Sequence, residues 1–373
     1  MPSRPTTTAP VLTRRQLNRA LLARQHLLDR TDAPVELMLR HLVGMQAQVP
    51  QQPYIALWSR LRDFAPAELE RLVLERAAVR LPVMRTTLHL VAADDALFLR
   101  PLVQPVLERT FRTSTAWGRI VAAYDQAELI AAGRAILEAK PRTTRQLATA
   151  LGERWPDRDA EAMSQAVRYV VPLVQVPPRG LWTRSAQATW TTLEAWLGRS
   201  LDAAASLETL VLRYLGAFGP ATVMDIQTWC WLTRLREVVE RLRPQLVTFR
   251  DEEGRERFDL PDAPRPPADT PAPPRFLPEY DNLLLSHKDR SHAIASFAFG
   301  RITGYVGTFL VDGFVHGQWR IATERDTASL VLDPFAPLGA ADETALVDEG
   351  RRFLAWHSPH AGVQRVEFGP SRP

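Results

Sequence analysis

Cysteine is almost absent from this chain, since Cys230 is the only one among 373 residues. A single thiol excludes a disulfide framework and a thiolate metal cluster, so a reducing, cytoplasmic environment is expected. Long apolar stretches are missing too, because no run approaches the ~18 residues that span a bilayer. The first residues, 1–8, have no apolar segment of the kind found in secretory signals and are expected to form a frayed tail. These absences predict a cytoplasmic protein with no membrane partner.

Lysine is nearly as scarce. Lys140 and Lys288 are the only lysines, so arginine supplies 44 (46 less 2) of the 46 positive charges, and the formal net charge is +4. Guanidinium groups bind phosphate through paired hydrogen bonds and stack on bases, which suits a nucleic-acid partner. A GC-rich coding sequence that favours arginine codons explains the same bias equally well, because a modest net charge does not identify a DNA-binding protein.

The usual sequence markers of several enzyme classes are also missing. There is no glycine-rich phosphate loop and no Gly-x-Ser-x-Gly elbow, so nucleotide hydrolysis, a nucleotide cofactor and serine-hydrolase chemistry are not indicated. His357 and His360 have Pro359 between them, which breaks the helix needed to align them, and no third ligand is near; no metal site or other cofactor is predicted. Adjacent Asp94 and Asp95 are expected to begin a helix, where acids favour the N-terminal dipole.

What the sequence does contain is a pattern that occurs three times, in which helical segments precede a short β stretch. Apolar residues at three- and four-residue spacing predict the helices, and β-branched alternating stretches such as 81–91 predict the strands. The second occurrence has a Thr143 N-cap, a helix over 159–169 and a strand, turn and strand over 170–182. Three helices and a β-hairpin are typical of a winged helix-turn-helix, although other α+β hairpin units share the pattern.

Seven prolines between residues 261 and 274 predict a stiff extended connector and a domain boundary. Alternating residues beyond it, with a turn at Asp312-Gly313, predict strands and one helix. These segments are 297–299, 308–311, 315–321, 329–332 and 364–368 for the strands, and 343–357 for the helix. The predicted fold is α+β. Its predicted parts are a flexible tail (1–11), three winged-helix units (12–122, 123–202 and 203–260), the proline-rich linker (261–274) and a C-terminal α+β domain (275–373).

Two glutamines bracket one small apolar residue in Gln46-Ala47-Gln48, where an apolar helical stretch runs into a proline-punctuated segment. Two uncharged amides directed to one side of a loop are able to hold a water molecule against an electrophile. Alone the motif means little, because glutamine is an ordinary surface residue. In a chain that has no carboxylate pair, nucleophile motif or metal-site motif, it is the leading candidate for an active site.

Two further polar stretches are candidates for binding. Arg85, Thr87 and His89 are expected on one face of a strand, where a cation and two hydrogen-bonding groups would line a cleft. The alternative is a half-exposed strand with a satisfied histidine. The second stretch combines residues 277–282 with residues 287–290, and in it Lys288 and Arg290 are candidates for clamping DNA phosphates. Here the alternative is a solvated loop held by internal ion pairs.

A set of motifs, each weak alone but specific in this order, resembles the AlkZ-type winged-helix DNA glycosylases. The motifs are Leu17-Asn18-Arg19-Ala20, Arg24-Gln25-His26-Leu27-Leu28, Gly44-Met45-Gln46-Ala47-Gln48, Arg85-Thr86-Thr87-Leu88-His89-Leu90, Phe218-Gly219-Pro220-Ala221-Thr222, Pro278-Glu279-Tyr280-Asp281, Lys288-Asp289-Arg290, Val311-Asp312-Gly313 and Gly317-Gln318-Trp319-Arg320. The resemblance runs from about residue 12 to the C-terminus. It implies tandem winged helices in a C-shaped scaffold with a concave DNA-binding face, on which the catalytic Gln-x-Gln motif corresponds to Gln46 and Gln48.

The resemblance also implies a function. It is that of a monofunctional bacterial DNA N-glycosylase, a repair hydrolase that removes bulky N7-alkylguanine adducts and, in some members, interstrand crosslinks. Several members protect producers of DNA-alkylating antibiotics, and Gln48 places the chain with that self-resistance branch, because related crosslink glycosylases have Asp there. The expected partner is double-stranded DNA carrying alkylated guanine, bound by a monomer at the nucleoid. An N7-alkylated guanine is already cationic and leaves as a neutral base, so the carboxylate pair of most glycosidases is not needed.

The alternative from another class is a winged-helix transcription regulator or an architectural DNA-binding protein. It predicts a strongly basic recognition helix and a dimerising segment. The helix predicted over 159–169 holds Asp159, Glu161 and only one arginine, Arg168, which is poor for reading bases. A structural interaction protein, the third alternative, predicts no DNA affinity.

Overall fold

The first part of the chain forms four helices and then two paired strands, in a computed structural model that describes residues 9–302 and 306–369. Its elements are β1 Val11–Leu12, α1 Arg14–Arg24, α2 Val35–His41, β2 Met45–Gln46, α3 Gln52–Arg60, α4 Pro66–Leu74, β3 Ala78–Pro82 and β4 Leu88–Ala92. Helix α1 begins where Thr13 and Gln16 form a capping box. The strand predicted over 81–91 is interrupted by a 3₁₀ turn, Met84–Thr86. Residues 1–8 of the predicted tail lie outside the described part, and Val11 lies in a strand.

The second part is mainly helical. Its elements are α5 Ala93–Ser114, α6 Ala116–Val121, α7 Gln126–Ala139, α8 Thr144–Arg154, α9 Ala160–Val170, β5 Leu173–Gln175, β6 Trp190–Thr192 and α10 Leu193–Leu197. Thr143 caps α8 as the sequence predicts, and Asp159 caps α9. The predicted hairpin over 170–182 is wrong in its second strand. β5 pairs with β6 instead, because Pro177 and Pro178 lack the amide hydrogens that a ladder requires.

The third part has three helices and a hairpin, as predicted. Its elements are α11 Leu207–Phe218, α12 Val223–Cys230, α13 Leu235–Leu242, β7 Val247–Asp251 and β8 Glu256–Asp259. Gly254, at a φ of 77°, makes the turn between the two strands. Residues 261–274, the proline-rich linker, contain neither helix nor strand.

The C-terminal part is a mixed sheet covered by one long helix. Its elements are β9 Arg275–Leu277, α14 Asn282–Leu285, β10 Gly307–Val311, β11 Phe314–Glu324, β12 Thr327–Pro334, α15 Ala340–His357 and β13 Val363–Phe368. The predicted turn at Asp312-Gly313 joins β10 to β11, with both residues at positive φ. The strand predicted over 297–299 is wrong, because Ser296–Ala298 form a 3₁₀ turn.

Backbone pairing connects these parts to one another. The order of one five-stranded sheet is β2-β4-β3-β5-β6, and Arg80 paired with Gln175 joins its first three strands to the last two. The order of a second is β13-β12-β11-β10-β9, and a three-stranded sheet, β1-β7-β8, places Val11 beside Arg250. The fold is α+β, as the sequence predicts. Pairing crosses two of the predicted domain boundaries, which themselves stay a prediction, as does the C shape.

Two apolar clusters meet where β2 pairs with β4. Val43 and Val91 belong to a cluster shared with α5, α11 and α13. Met45, Ala47 and Leu90 belong to a second cluster, shared with α3 and α15. Neighbouring residues of an extended segment point to opposite sides, so this segment is buried on both faces. The backbone that carries the glutamine motif is therefore held by packing from both sides.

Arginine is used extensively inside the protein. Arg24 binds Asp259 through two contacts of 2.7 and 2.8 Å with both side chains fully buried, and Arg60 binds Asp281 in the same way. Arg19 of α1 donates to the Thr270 carbonyl and thereby attaches the linker to the helix. A two-pronged guanidinium satisfies a buried carboxylate and nearby carbonyls together, which a lysine cannot do. Part of the arginine bias therefore serves the interior and not a nucleic acid.

Candidate active site

Gln46 is positioned by the short strand β2, which pairs in antiparallel fashion with β4. Met45 lies opposite Leu90 and Gln46 opposite His89, and the Ala47 amide donates to the Leu88 carbonyl at 2.7 Å. The strand can approach this closely because Gly44 precedes it. Gly44 has a φ of +87°, and a Cβ there would lie 2.4 Å from Val91 Cγ1. Only glycine fits both the backbone angle and the space.

The side chain of Gln46 is buried and its direction is fixed. It is 7% exposed, and its Oε1 accepts a 2.8 Å hydrogen bond from Arg85. Arg85 also donates to the Trp229 carbonyl at 2.7 Å, at the end of α12. Because a guanidinium only donates, the oxygen of the Gln46 amide must face Arg85 and its NH₂ must face away. Burial lowers the pKa of Arg85 to about 10, so it remains a cation at neutral pH.

His89 completes this group on the inner side. Its Nδ1 lies 3.0 Å from the Thr87 carbonyl, which can only accept, so Nδ1 carries the hydrogen. Nε2 is then bare and lies 3.3 Å from the Arg85 guanidinium, which donates to it. Burial, together with the positive charge of Arg85, lowers the pKa of His89 to about 3. His89 is a neutral acceptor that supports Arg85.

The prediction that Arg85, Thr87 and His89 share one face of a strand is wrong. Arg85 lies in the 3₁₀ turn before β4, at a φ of 54°, followed by Thr86 at 58°. Two consecutive residues with positive φ are strained, and here they turn the Arg85 side chain towards Gln46. His89 is 1% exposed. Contact of these side chains with DNA stays a prediction, and the geometry favours their support of Gln46.

Gln48 differs from Gln46, because it is exposed. Its side-chain amide has no hydrogen-bond partner within residues 9–302 and 306–369. Its backbone, in contrast, is fixed by Arg80 of β3, which donates to the Ala47 carbonyl at 2.8 and 2.5 Å and to the Gln48 carbonyl at 3.1 Å. Burial lowers the pKa of Arg80 to about 9, which leaves it charged at neutral pH. A rigid backbone thus presents a free amide to solvent.

A segment from the C-terminal part, residues 278–282, lies against the glutamine motif. Asn282 donates to the Gly44 carbonyl at 2.9 Å, and Glu279 accepts from Gln52 at 3.0 Å. A recess of about 10 Å³ is lined by Gln46, Tyr280 and their neighbours. The sequence marks this segment as part of a polar stretch and as one of the motifs of the resemblance, but nothing local indicates that it reaches the glutamines.

Lys288 and Arg290, the predicted phosphate clamp, are both exposed. Lys288 lies at a cleft of about 510 Å³ that Arg236 of α13 also lines. Between the two cations, Asp289 binds Arg255 at 2.6 Å. The predicted clamp and the alternative of an ion-paired loop therefore describe different residues of one segment. Whether the two cations contact DNA stays a prediction.

Trp231 was not singled out from the sequence. Its indole is 44% exposed, and it follows Trp229, whose carbonyl binds Arg85, by two residues. It caps α12 in the left-handed conformation, at a φ of 61°, and its own carbonyl accepts from Arg109 at 3.4 Å. A bulky residue rarely adopts this φ. The exposed indole thus stands on a backbone that is bound at its own carbonyl by Arg109 and, two residues earlier, by Arg85.

The remaining candidates are explained by structure. Asp94 and Asp95 lie in the first turn of α5, as predicted, and bind arginines: Asp94 binds Arg40 and Arg199, and Asp95 binds Arg213. No group of three or more acidic, histidine or cysteine side chains suited to a metal ion occurs within the described residues. Among the helices of the same part of the chain, none has the length and apolar character needed to cross a membrane.

Comparisons with known proteins identify the family of this chain. The sequence is 26% identical over 341 residues to an interstrand DNA cross-link repair glycosylase of Streptomyces sahachiroi, with 84% of this chain and 88% of the relative covered. The structure is similar to that of the Streptomyces sahachiroi DNA glycosylase AlkZ, with a TM-score of 0.75, 22% identity, and coverage of 96% of this chain and 99% of that one. The model of the family described as DNA glycosylase AlkZ-like matches residues 39–356. The chain therefore belongs to the AlkZ-like DNA glycosylases, enzymes that hydrolyse N-glycosyl bonds.

Proposed function

We propose that this glycosylase removes bulky N7-alkylguanine adducts, interstrand crosslinks among them, from double-stranded DNA, with water positioned by Gln46 and Gln48. One observation carries the proposal: Gln48 presents an exposed, unpartnered side-chain amide from a backbone that Arg80 fixes, beside a Gln46 that Arg85 orients. The name of the Streptomyces sahachiroi relative, a cross-link repair glycosylase, supports crosslinks as substrates. The protein acts on DNA as a monomer, in repair or in self-resistance to a DNA-alkylating natural product.

The reaction suits a site built from amides. Water attacks C1′ of the deoxyribose, the bond from C1′ to N9 breaks, and its electron pair neutralises the cationic alkylguanine as it leaves. One proton of the water passes to solvent. Because the leaving group needs no acid, the protein has to position the water and stabilise positive charge that develops on the sugar. Amide carbonyl dipoles do both without a charge of their own.

The two glutamines have different parts in this reaction. One lone pair of Gln46 Oε1 is already used by Arg85, which draws electron density from that carbonyl and leaves only the second lone pair for water. Gln48 retains both lone pairs. The recess beside Gln46, of about 10 Å³, is at the lower limit of the space that holds one water molecule. Gln48 is therefore the main hydrogen-bond acceptor for the attacking water, and Gln46 lines the recess in which that water is held.

Single substitutions test this mechanism. Gln46→Ala and Gln48→Ala are expected to slow release of an N7-alkylguanine from duplex DNA under single turnover, Gln48→Ala by on the order of 100-fold, as for loss of one positioned transition-state dipole. Abasic-site cleavage after incubation with a panel of adduct duplexes gives the rates and ranks the substrates. Unchanged rates in both variants would refute the mechanism.

The alternative of a DNA-binding regulator is weakened by α9. Its single arginine, Arg168, donates to Gln165 at 2.8 Å and lies over the Trp190 ring at 5.0 Å, so it faces the protein. A recognition helix needs exposed donors for base edges. Tight binding to a defined palindrome, with no excision of any adduct in the panel, would restore this alternative.

A further inference from the structure

Residues 278–282 bracket the glutamine motif from both ends. On one side, Asn282 donates to the carbonyl of Gly44, two residues before Gln46. On the other, Glu279 Oε2 accepts from Gln52 Nε2 at 3.0 Å. Asp281, between them, is neutralised by a two-pronged ion pair with Arg60, at 2.8 and 2.9 Å. Residues 278–282 are therefore anchored in the interior by Asp281 and contact the motif and its flanking residues through Asn282 and Glu279.

Gln52 connects Glu279 to the glutamine motif. It is 3% exposed, and its Oε1 accepts from the backbone amide of Val49, the residue after Gln48, at 3.1 Å. A backbone amide only donates, so the oxygen of the Gln52 side chain must face Val49. Its NH₂ must then face Glu279, which has to accept. The direction of every hydrogen bond from Glu279 to the loop is thus determined.

Glu279 differs in its surroundings from Asp281, the other acid of this segment. Burial raises the pKa of Glu279, and the hydrogen bond from Gln52 opposes that rise. Whereas Asp281 binds Arg60, Glu279 has no ion pair within residues 9–302 and 306–369. A half-buried carboxylate without a cation is unfavourable for stability. Its position beside the motif, where it accepts a hydrogen bond from Gln52, suits a task as an acceptor.

We propose that Glu279 is a positioning residue for catalysis: through Gln52 it holds the Val49 amide and so fixes the direction in which Gln48 presents its side chain. The proposal rests on the proposed function, in which Gln48 directs the attacking water. Arg80 donates to the Gln48 carbonyl, and the next backbone amide, that of Val49, is held by a hydrogen-bond relay that runs from Glu279 through Gln52. Without the relay, the loop keeps the Arg80 contact and the backbone bond from the Gln52 amide to the Val49 carbonyl at 3.2 Å, but the Val49 amide loses its acceptor.

Three variants separate positioning from direct catalysis by the carboxylate. Glu279→Ala removes the acceptor and is expected to lower the single-turnover rate about tenfold, as for loss of one hydrogen bond of ~1.4 kcal/mol, while the Kd for adduct DNA is unchanged. Glu279→Gln keeps an acceptor oxygen and loses the charge, so it is expected to retain most of the rate. Glu343→Ala, which removes an exposed carboxylate on α15, is the control and is expected to behave as wild type.

Substitution of Gln52 provides a second test, which does not depend on correct folding of a Glu279 variant. Gln52→Met removes both hydrogen bonds of the relay, and the double variant with Glu279→Ala is expected to be no slower than the slower single variant, because both disrupt one path. A rate for Glu279→Gln as low as that for Glu279→Ala would overturn the proposal in favour of direct charge catalysis. An unchanged rate in Glu279→Ala would overturn it as well.

Amide hydrogen exchange reports on the relay without any substrate. Peptides that cover residues 44–52 are expected to exchange faster in Glu279→Ala than in wild type, and at the wild-type rate in Glu279→Gln. Equal exchange in all three proteins would overturn the positioning role even in an active enzyme. If wild type releases no adduct while exchange depends on Glu279, the proposed function fails and the relay itself stands.

Discussion

Arg85 has two candidate roles: it either contacts DNA or donates the hydrogen bond that orients Gln46. Arg85→Met keeps most of the side-chain volume and removes every donor. Gln46 Oε1 and the Trp229 carbonyl then lose bonds of 2.8 and 2.7 Å, and the Gln46 side chain regains its rotamers. Fixing a glutamine side chain costs about 1.5–2 kcal/mol, so we expect a rate about 10- to 30-fold lower at saturating DNA.

The assay measures two quantities, the single-turnover rate and the Kd of adduct DNA as salt is varied. If Arg85 faces inward, Arg85→Met leaves both the Kd and its salt dependence at wild-type values. Each phosphate contact contributes about −0.9 to the slope of log K against log salt. Arg290→Ala and Lys288→Ala are the matched controls, because both residues are exposed cations. If they contact DNA, each weakens binding and makes the slope shallower by about one contact, with the rate at saturation unchanged.

One result would refute the inward role of Arg85. It is an Arg85→Met variant that binds DNA weakly, with a shallower salt slope, yet cleaves at the wild-type rate once saturated. Gln46 would then need no orientation, and Arg85 would be the DNA contact that the sequence predicts.

Two predictions concern stability. His89 and His287 have pKa values lowered to about 3 and about 4, chiefly by burial, and burial also lowers the pKa of His292. Below pH 6.5 the unfolded chain therefore binds more protons than the folded protein. His89 and His287 alone should lower the free energy of unfolding by about 4 kcal/mol between pH 7 and pH 5. Urea midpoints at the two pH values check this, and equal midpoints would contradict it. Gly44→Ala should lower the free energy of unfolding by about 2–4 kcal/mol and remove much of the activity, because the added Cβ would lie 2.4 Å from Val91 in a backbone of positive φ. A variant with the wild-type urea midpoint and rate would contradict this and show that the loop relaxes freely.

Local sequence was sufficient for most of the secondary structure. The apolar period, the Thr143 cap and the Asp312-Gly313 turn each act within a few residues, and the corresponding helices and hairpin are present. One error occurred where tertiary contacts override local preference. The residues 81–91 read as one strand, yet Arg85 is turned out of it by its bonds to Gln46 and Trp229.

The sequence by itself determined the α+β fold and, through a resemblance, the family and the glutamine motif. The tertiary structure decided which of the two glutamines is free. Gln46 and Gln48 look equivalent along the chain, but one is buried against Arg85 and the other is exposed above Arg80. It also decided that Glu279 reaches this motif. Side chains more than 200 residues apart carry no local signal of their contact, because their proximity results from the burial of apolar surface between β2, α3 and the C-terminal sheet.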